Sequence, residues 1–189
     1  SITIETATQA YKHVLSDVGA NQPMSDLTDQ RIFTETLNRS YTYVGSKSGI
    51  KGEIDNEMDA GGYEEYPEET RPDNYDSDND GLPDWWEAVR GTNAQSAAND
   101  FSDANMLNAE GYTELERYLD FMAQPHLLLA PGTTVTVDVT KLFAGYTNKP
   151  AYTAECANTS VTVTLADGQL TVKAGDDLSI GTITLKVKD

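Results

Sequence analysis

The sequence predicts an α+β protein in three parts, and three patterns in its 189 residues support this prediction. In residues 1–52, apolar residues recur at spacings of three and four, as they do in amphipathic helices. Residues 53–123 begin as an acidic stretch interrupted by glycine and proline, and they end in two short helical patterns. Residues 124–189 alternate Val, Ile and Thr with other residues at a period of two, which is typical of β-strands.

The composition excludes two classes of partner. The formal net charge is −18, whereas binding to nucleic acid or to an anionic membrane surface requires clustered Lys and Arg. No apolar run reaches the length of about 18 residues that spans a bilayer, so membrane insertion is not expected. The first residues contain neither a basic nor an apolar stretch, so we expect no signal peptide in this chain, and its abrupt start suggests a piece of a longer protein.

Two helices are predicted in the first region. The stretch "ETATQAYKHVLSDVGA" has Thr6 as its N-cap and Gly19 as its stop signal. The stretch "SDLTDQRIFTETLNRS" has Ser25 as its N-cap, with Asp26 near the positive end of the helix dipole. A loop that carries glycine and lysine, "YVGSKSGIKG", follows. The first helix has one apolar face, which consists of Ala7, Ala10, Tyr11, Val14, Leu15 and Val18.

The middle region is acidic at its start and helical at its end. From Glu53 to Glu87 there are fourteen acids against the single Arg71. A short helix is predicted in "PDWWEAVRG", opened by Pro83 and closed by Gly91. A second is predicted in "YTELERYLDFMA", whose apolar face consists of Leu115, Tyr118, Leu119 and Met122.

The third region predicts a small β-sandwich of immunoglobulin-like type. Four stretches have the strand pattern: "TTVTVDVT", "SVTVTL", "GQLTVKA" and "GTITLKVK". Asp167 and Gly168 form the strongest hairpin signal. Pro125 and Pro131 mark the linker into this region, and the lone Cys156 is expected to be a small buried apolar residue within a strand.

The stretch "DSDNDGLPDWWE", residues 76–87, has the spacing of a calcium loop, and we call it the acidic loop. Calcium loops of the EF-hand type take oxygen ligands from positions 1, 3, 5, 7, 9 and 12 and have glycine at position 6. Gly81 is at position 6, and a solvated acidic linker would not require this spacing. The sequence therefore predicts a Ca²⁺ site. Its ligands are Asp76, Asp78, Asp80, the Leu82 carbonyl, Asp84 directly or through water, and Glu87.

The flanks of the acidic loop indicate that it is not half of a paired EF-hand. Pro67 and Pro72 prevent a regular helix before Asp76, and Pro83 at position 8 has no N–H for a β-bridge to a second loop. The pattern "DxDxDGxPD" resembles thrombospondin type 3 and dockerin-like repeats. We therefore expect a structural calcium clip and not a switch.

A second loop pattern, "MLNAEGYTELER" at residues 106–117, is predicted to be degenerate. Gly111 keeps position 6, but Met106 at position 1 and Arg117 at position 12 do not suit calcium. We expect the turn without the ion. The oxygen ligands that remain are Asn108, Glu110 and Glu114, with Asp100 and Asp103 as additional contributors to the first site.

The sequence predicts no catalytic residues. His13 and His126 have no nucleophile nearby in sequence, and no phosphate loop, nucleophile elbow or HExxH motif occurs. Trp85 and Trp86 would suit sugar stacking, but adjacent helix positions diverge by about 100°. We therefore expect one ring to pack on the "YTELERYLDF" helix and the other on a neighbouring domain.

The order of these segments resembles the part that follows the catalytic β-helix in secreted bacterial pectate lyases. The resemblance covers residues 5–122 and rests on "ATQAYKHVLSDVGAN", "SDLTDQRIF", "GSKSGIKGEIDNEMDAGGY", "DSDNDGLPDWWE" and "EGYTELERYL". Ser25 departs from it, because the family usually has Arg at this place. The resemblance implies a secreted, cell-surface or periplasmic protein that takes part in polysaccharide degradation. It also implies that the catalytic β-helix lies outside this chain, so the chain alone is not expected to be an enzyme.

Two kinds of function are open at this stage. The first is a calcium-stabilised accessory region that acts as linker and scaffold for the catalytic domain of the parent chain. The alternative is a carbohydrate-binding or cell-surface docking module. Pectin is itself a polyanion, so the charge of −18 argues against pectin as its ligand unless calcium bridges the two.

Overall fold

A computed structural model describes most of the chain as a mixed α+β protein with four α-helices and two small antiparallel sheets. Within the described residues, the sheets do not close into a barrel, and no helix is long and apolar enough to cross a membrane. The described residues are 4–19, 25–66, 68–97 and 111–189. They form two compact units. The first unit consists of the described part of Ser1–Glu68 together with Thr140–Pro150 and Asp189. The second consists of the described part of Glu69–Val139 together with Ala151–Lys188.

Helix α1 of the first unit, Ala7–Ser16, begins at the predicted cap. Thr6 and Gln9 form a capping box, in which each side chain bonds the backbone N–H of the other. The helix ends three residues before Gly19, because Asp17 already leaves the helical conformation. Of the predicted apolar face, Leu15 is buried, whereas Val14 is largely exposed.

Helix α2, Leu27–Asn38, corrects the predicted cap by one residue. The N-cap is Asp26 and not Ser25, because the Asp26 carboxylate accepts a hydrogen bond of 2.7 Å from the N–H of Asp29. A charged acceptor at the positive end of the helix dipole is stronger than a hydroxyl. The helix ends where Arg39 adopts a left-handed conformation with φ of 51°.

The acids that follow α2 mainly organise their own loop. Asp55 accepts hydrogen bonds from the N–H groups of Lys47 (2.6 Å) and Ser48 (2.8 Å), and these bonds lower its pKa. Asp59 accepts hydrogen bonds from the hydroxyl and the N–H of Ser46. Together with the N–H of Asp55, these bonds lower the Asp59 pKa to about 2, and the hydroxyl has the largest effect. These carboxylates, of which Asp55 is exposed and Asp59 half-buried, accept hydrogen bonds from turn N–H groups. Charge counting along the sequence did not predict this role.

Helices α3, Asp84–Arg90, and α4, Glu114–Ala123, confirm the two short helices predicted in the second region. Pro83 precedes the first, and Gly91 ends it in a left-handed conformation with φ of 78°. Helix α4 begins at Thr113, whose side chain forms a capping box with Glu116.

These two helices enclose an aromatic core, which consists of the buried residues Leu82, Trp86 and Tyr118. Leu119 does not belong to it and is 56% exposed, because it lies about 100° around the helix from Tyr118. The partly buried side chains around this core are Trp85, Leu115, Phe121 and Met122.

Both tryptophans lie against α4, where the sequence predicted only one of them. The packing of the other on a neighbouring domain stays a prediction. The ring centroids of Trp86 lie 5.5 Å from Tyr118 and 5.3 Å from Phe121. Those of Trp85 lie 6.0 Å and 6.2 Å from the same two rings. The two indoles stand nearly perpendicular at 6.0 Å, so the wide α4 aromatic surface accommodates both.

The β-region contains five short strands in two antiparallel sheets. One sheet has the order β1-β4-β3 and the other pairs β2 with β5. Four of these strands correspond to the predicted stretches, whereas β2, "AYTAEC", was not singled out because Ala and Glu weaken its strand pattern. The strands are β1 Thr134–Asp138, β2 Ala151–Cys156, β3 Thr162–Ala166, β4 Gln169–Lys173 and β5 Ile183–Lys188.

The register of the three-stranded sheet separates an apolar face from a threonine face. Asp167 and Gly168 both have positive φ, 49° and 75°, which confirms the predicted two-residue hairpin between β3 and β4. Cys156, at the end of β2, is half-buried and forms no disulfide among the described residues. Residues opposite one another on the apolar face are Val135, Val172 and Val163, and then Val137, Leu170 and Leu165; on the other face they are Thr136, Thr171 and Thr164.

Candidate metal centre

The acidic loop begins with a tight turn of the backbone. Asn79 and Gly81 have positive φ angles of 60° and 94°, a conformation that Gly adopts freely and Asn tolerates. The turn directs backbone N–H groups at the first side chain of the loop. The N–H of Asp80 donates to Asp76 Oδ1 (3.2 Å), and that of Gly81 donates to Asp76 Oδ2 (3.0 Å). Local hydrogen bonds therefore hold this carboxylate on the inner side of the turn.

Three carboxylates meet inside this turn, and we call Asp76, Asp78 and Asp80 the Asp triad. One oxygen from each lies within 4.8 Å of the others, with the first two side chains half-buried and Asp80 buried. Within the described residues, Asp78 Oδ2 is buried and has no hydrogen-bond partner. Carboxylates this close repel one another unless a cation lies between them. These three residues could hold a metal ion.

Glu87, on the first turn of α3, is fully buried. It does not belong to the 4.8 Å group of the triad, but it lies close enough to Asp78 and Asp80 for their charges to act on it. Its Oε1 accepts a hydrogen bond of 3.2 Å from Thr92 Oγ1, whereas its Oε2 has no hydrogen-bond partner among the described residues. Burial raises the pKa of Glu87 above its ordinary value; the Thr92 bond opposes this shift, and the charges of Asp78 and Asp80 add to it. A bound cation would offset both the cost of burying the Glu87 charge and the repulsion between the carboxylates.

Two other predicted ligands, Asp84 and Leu82, make contacts of their own next to the Asp triad. Asp84 lies outside the triad, with its two oxygens hydrogen-bonded to the N–H (2.8 Å) and the hydroxyl (2.7 Å) of Ser77. It therefore ties the start of α3 to the second residue of the acidic loop. Leu82 is fully buried in the aromatic core, and its N–H donates to Asp80 Oδ1 (2.8 Å). The backbone at position 7 is thus held between the triad and the core.

Glu114 of the degenerate second pattern has a role that the sequence did not indicate. Its Oε1 accepts hydrogen bonds from Arg90 Nε (2.7 Å) and from Trp86 Nε1 (3.2 Å), and the residue is 1% exposed. Gly111 keeps a positive φ of 80°, as the predicted turn requires. The other two ligands named for this pattern, Asn108 and Glu110, lie outside the described residues, as do Met106 and the two additional acids, Asp100 and Asp103.

The contacts described for the two histidines do not involve residues of the acidic loop. His13 Nδ1 lies 2.8 Å from Glu5 Oε1, and His126 Nδ1 lies 2.7 Å from the carbonyl oxygen of Gln124. Both positions suit the structural role that the sequence predicts for them. The absence of catalysis stays a prediction.

Comparisons with models of protein families, with curated proteins and with solved structures find no match for this chain. The nature of the site is therefore argued from its own chemistry. The side chains of the triad and Glu87 offer only oxygen atoms, which suit a hard cation better than a soft one. Buried oxygens without a hydrogen-bond partner among the described residues belong to Asp78, Glu87 and Glu114. Arg90 already balances the charge of Glu114, so a cation would be needed at Asp78 and Glu87.

The raised pKa of Glu87 predicts an unusual result for Glu87→Gln. In chelator, folding raises the Glu87 pKa above its ordinary value of 4.5, so the folded state binds the proton more tightly than the unfolded state. The stability that this group contributes is therefore present at low pH and is lost as pH rises above the ordinary value. A neutral side chain of the same shape removes this loss. We expect Glu87→Gln to melt higher than the wild type at pH 7 in chelator, and to lose the response to calcium.

Thermal melts at pH 4 and pH 7 measure this difference, with Glu69→Gln as the control. Glu69 is an exposed acid before the acidic loop, so its replacement removes one charge without touching the site. A Glu87→Gln variant that melts below the wild type in chelator at pH 7 would show that the carboxylate stabilises the ion-free fold.

Proposed function

We propose that this chain is a non-catalytic accessory region of a secreted, pectate lyase-like protein, in which a bound Ca²⁺ ion acts as a structural clip. The single observation that supports the clip most strongly is the gathering of the Asp triad within 4.8 Å beside a fully buried Glu87. The sequence spacing predicts the same residues independently, because the triad and Glu87 occupy positions 1, 3, 5 and 12 of a calcium loop.

Calcium suits this ligand set better than other common ions. Structural zinc sites use Cys or His, and neither residue type occurs in the acidic loop. Magnesium requires near-ideal octahedral geometry and keeps several waters, whereas calcium accepts six to eight oxygens in a flexible arrangement. Carboxylates, the Leu82 carbonyl and water would provide such an arrangement. Sites in extracellular modules bind calcium with dissociation constants of about 10⁻⁴–10⁻³ M.

The ion would stabilise the fold by joining the acidic loop to α3. The triad precedes the helix and Glu87 lies within it, so one ion bound to both would hold the start of the helix in place. The aromatic core beside it has three buried residues, and small cores commonly depend on a metal or a disulfide. Binding energy that exists only in the folded state adds directly to its stability.

The accessory role follows from the resemblance of residues 5–122 to the part after the β-helix of pectate lyases. In this role the chain links and supports the catalytic domain of the parent protein outside the cell, and the strands of residues 134–188 form a small immunoglobulin-like sandwich. The alternation of exposed and partly buried positions along these strands supports a layered packing.

The accessory role predicts that the isolated chain neither cleaves nor holds pectin. We expect no unsaturated product from polygalacturonate in millimolar calcium, because the chemistry would lie in the parent's catalytic domain. We also expect no retardation in affinity electrophoresis against a panel of neutral and acidic glycans. Measurable turnover would contradict the non-catalytic role, and retardation by one glycan would support the alternative, a carbohydrate-binding module.

A further inference from the structure

Helix α3 carries the last predicted ligand, yet it has few means of its own to hold that ligand in place. The helix has seven residues, Asp84–Arg90, and its N-cap, Pro83, makes no side-chain capping bond. Isolated helices shorter than about 12 residues are marginal in water. The direction of Glu87 relative to the triad must therefore come from contacts between α3 and other elements.

One such contact reaches α3 on both sides of Glu87. A single oxygen of Glu114, Oε1, accepts from Trp86 Nε1 at 3.2 Å and from Arg90 Nε at 2.7 Å. Trp86 and Arg90 are four residues apart and therefore lie on one face of the helix. Glu87 is about 100° around the helix from Trp86. A rotation of α3 that turned Glu87 away from the triad would break both hydrogen bonds.

The contact between Glu114 and α3 is strengthened by burial and by charge. Glu114 is 1% exposed, and its bond with Arg90 joins two opposite charges at hydrogen-bond distance. Charge-assisted hydrogen bonds are roughly twice as strong as neutral ones. Glu114 is the first residue of α4, so its position is fixed by the capping box of that helix and by the aromatic core.

We infer that Glu114 is a positioning residue for the ion site: it sets the rotation of α3 and thereby aims Glu87 at the Asp triad. This inference rests on the proposed function, since it concerns the affinity of the same site. It also gives the degenerate second pattern a role. The acid that could have served a second ion instead receives the Arg90 guanidinium and supports the first site.

Glu114→Gln tests the inference with a small change of shape. Glutamine keeps an oxygen for Trp86 Nε1 but loses the charge that attracts Arg90. We expect calcium affinity to fall by about tenfold, in the range seen when residues behind metal ligands are replaced. Titration calorimetry, performed well below the melting temperature of each variant, measures the dissociation constant.

Two further variants separate positioning from general stability. Glu116→Gln makes the same chemical change two residues away, in the α4 capping box. Glutamine serves in a capping box as glutamate does, so Glu114 keeps its place and the dissociation constant should stay unchanged. Arg90→Gln removes the partner cation from α3 while leaving the Trp86 bond, and should weaken calcium binding as Glu114→Gln does. A merely structural Glu114 would lower the melting temperatures with and without calcium equally, at unchanged affinity.

The outcomes distinguish this inference from the proposed function. If the wild type binds calcium while Glu114→Gln and Arg90→Gln bind it with wild-type affinity, Glu114 does not position the site. If the wild type itself fails to bind calcium, the proposed function fails first and the inference with it.

Discussion

Replacing Asp78 and Glu87 together by alanine is expected to abolish the rise in melting temperature that calcium gives the wild-type chain. Each of these residues has a buried carboxylate oxygen without a hydrogen-bond partner among the described residues, and they lie at opposite ends of the acidic loop. An ion that binds the folded state alone stabilises it by about 2.7 kcal/mol at a concentration one hundred times its dissociation constant. For a chain of this length, this free energy corresponds to a rise in melting temperature of roughly 5–10 °C.

A matched control excludes a simple effect of net charge. Glu69→Ala combined with Asp73→Ala removes the same two negative charges from exposed positions that precede the acidic loop. This variant should keep the full calcium response. Differential scanning calorimetry in chelator and in 10 mM calcium, about one hundred times a dissociation constant of 10⁻⁴ M, compares the variants. A response that disappears in the control as well, or that survives in Asp78→Ala with Glu87→Ala, would place the ion elsewhere.

Leu82→Ala is expected to cause a large loss of stability in the second unit. Leu82 is 0% exposed and belongs to the aromatic core. Removing a fully buried leucine side chain costs about 2–5 kcal/mol, because transfer free energy is lost and a cavity remains. The substitution keeps the backbone carbonyl of residue 82, which is the predicted ligand at position 7. The expected loss of stability therefore comes from packing and not from a lost ligand. Urea denaturation measures the free energy of unfolding.

Leu119→Ala is the matched control, because it makes the same chemical change at an exposed position of α4. Leu119 is 56% exposed, and surface substitutions usually change stability by about 0.5 kcal/mol or less. The sequence pattern placed Leu119 on an apolar face and named Leu82 only for its carbonyl, so the burial of each side chain is a result of the tertiary structure. Equal losses in the two variants would contradict the assignment of the core.

The parts of the site that are local in sequence could be predicted, because their geometry is set within a few residues. The spacing of the acidic loop specifies the turn at Asn79 and Gly81, and this turn is sufficient to bring the triad together. The positions of Pro83 and Gly91 likewise predict the limits of α3, since each acts on its own backbone.

The parts that depend on distant residues could not be predicted. Glu114 reaches Arg90 and Trp86 across 24 and 28 positions of sequence, and no periodicity indicates which acid faces which helix. Ser25 and Asp26 are both good caps, and the choice between them depends on hydrogen-bond strength at a single position. Asp84 has the spacing of a ligand, but the nearby Ser77 occupies its oxygens.

Equilibrium dialysis against radioactive calcium is the most direct test of the central claim that the acidic loop holds one structural calcium ion. We expect one ion per wild-type chain, with a dissociation constant of about 10⁻⁴–10⁻³ M, and weaker binding of magnesium. We expect no saturable binding to Asp78→Ala with Glu87→Ala. A wild-type chain that binds no calcium at 10 mM, about ten times the weakest expected constant, would contradict the account.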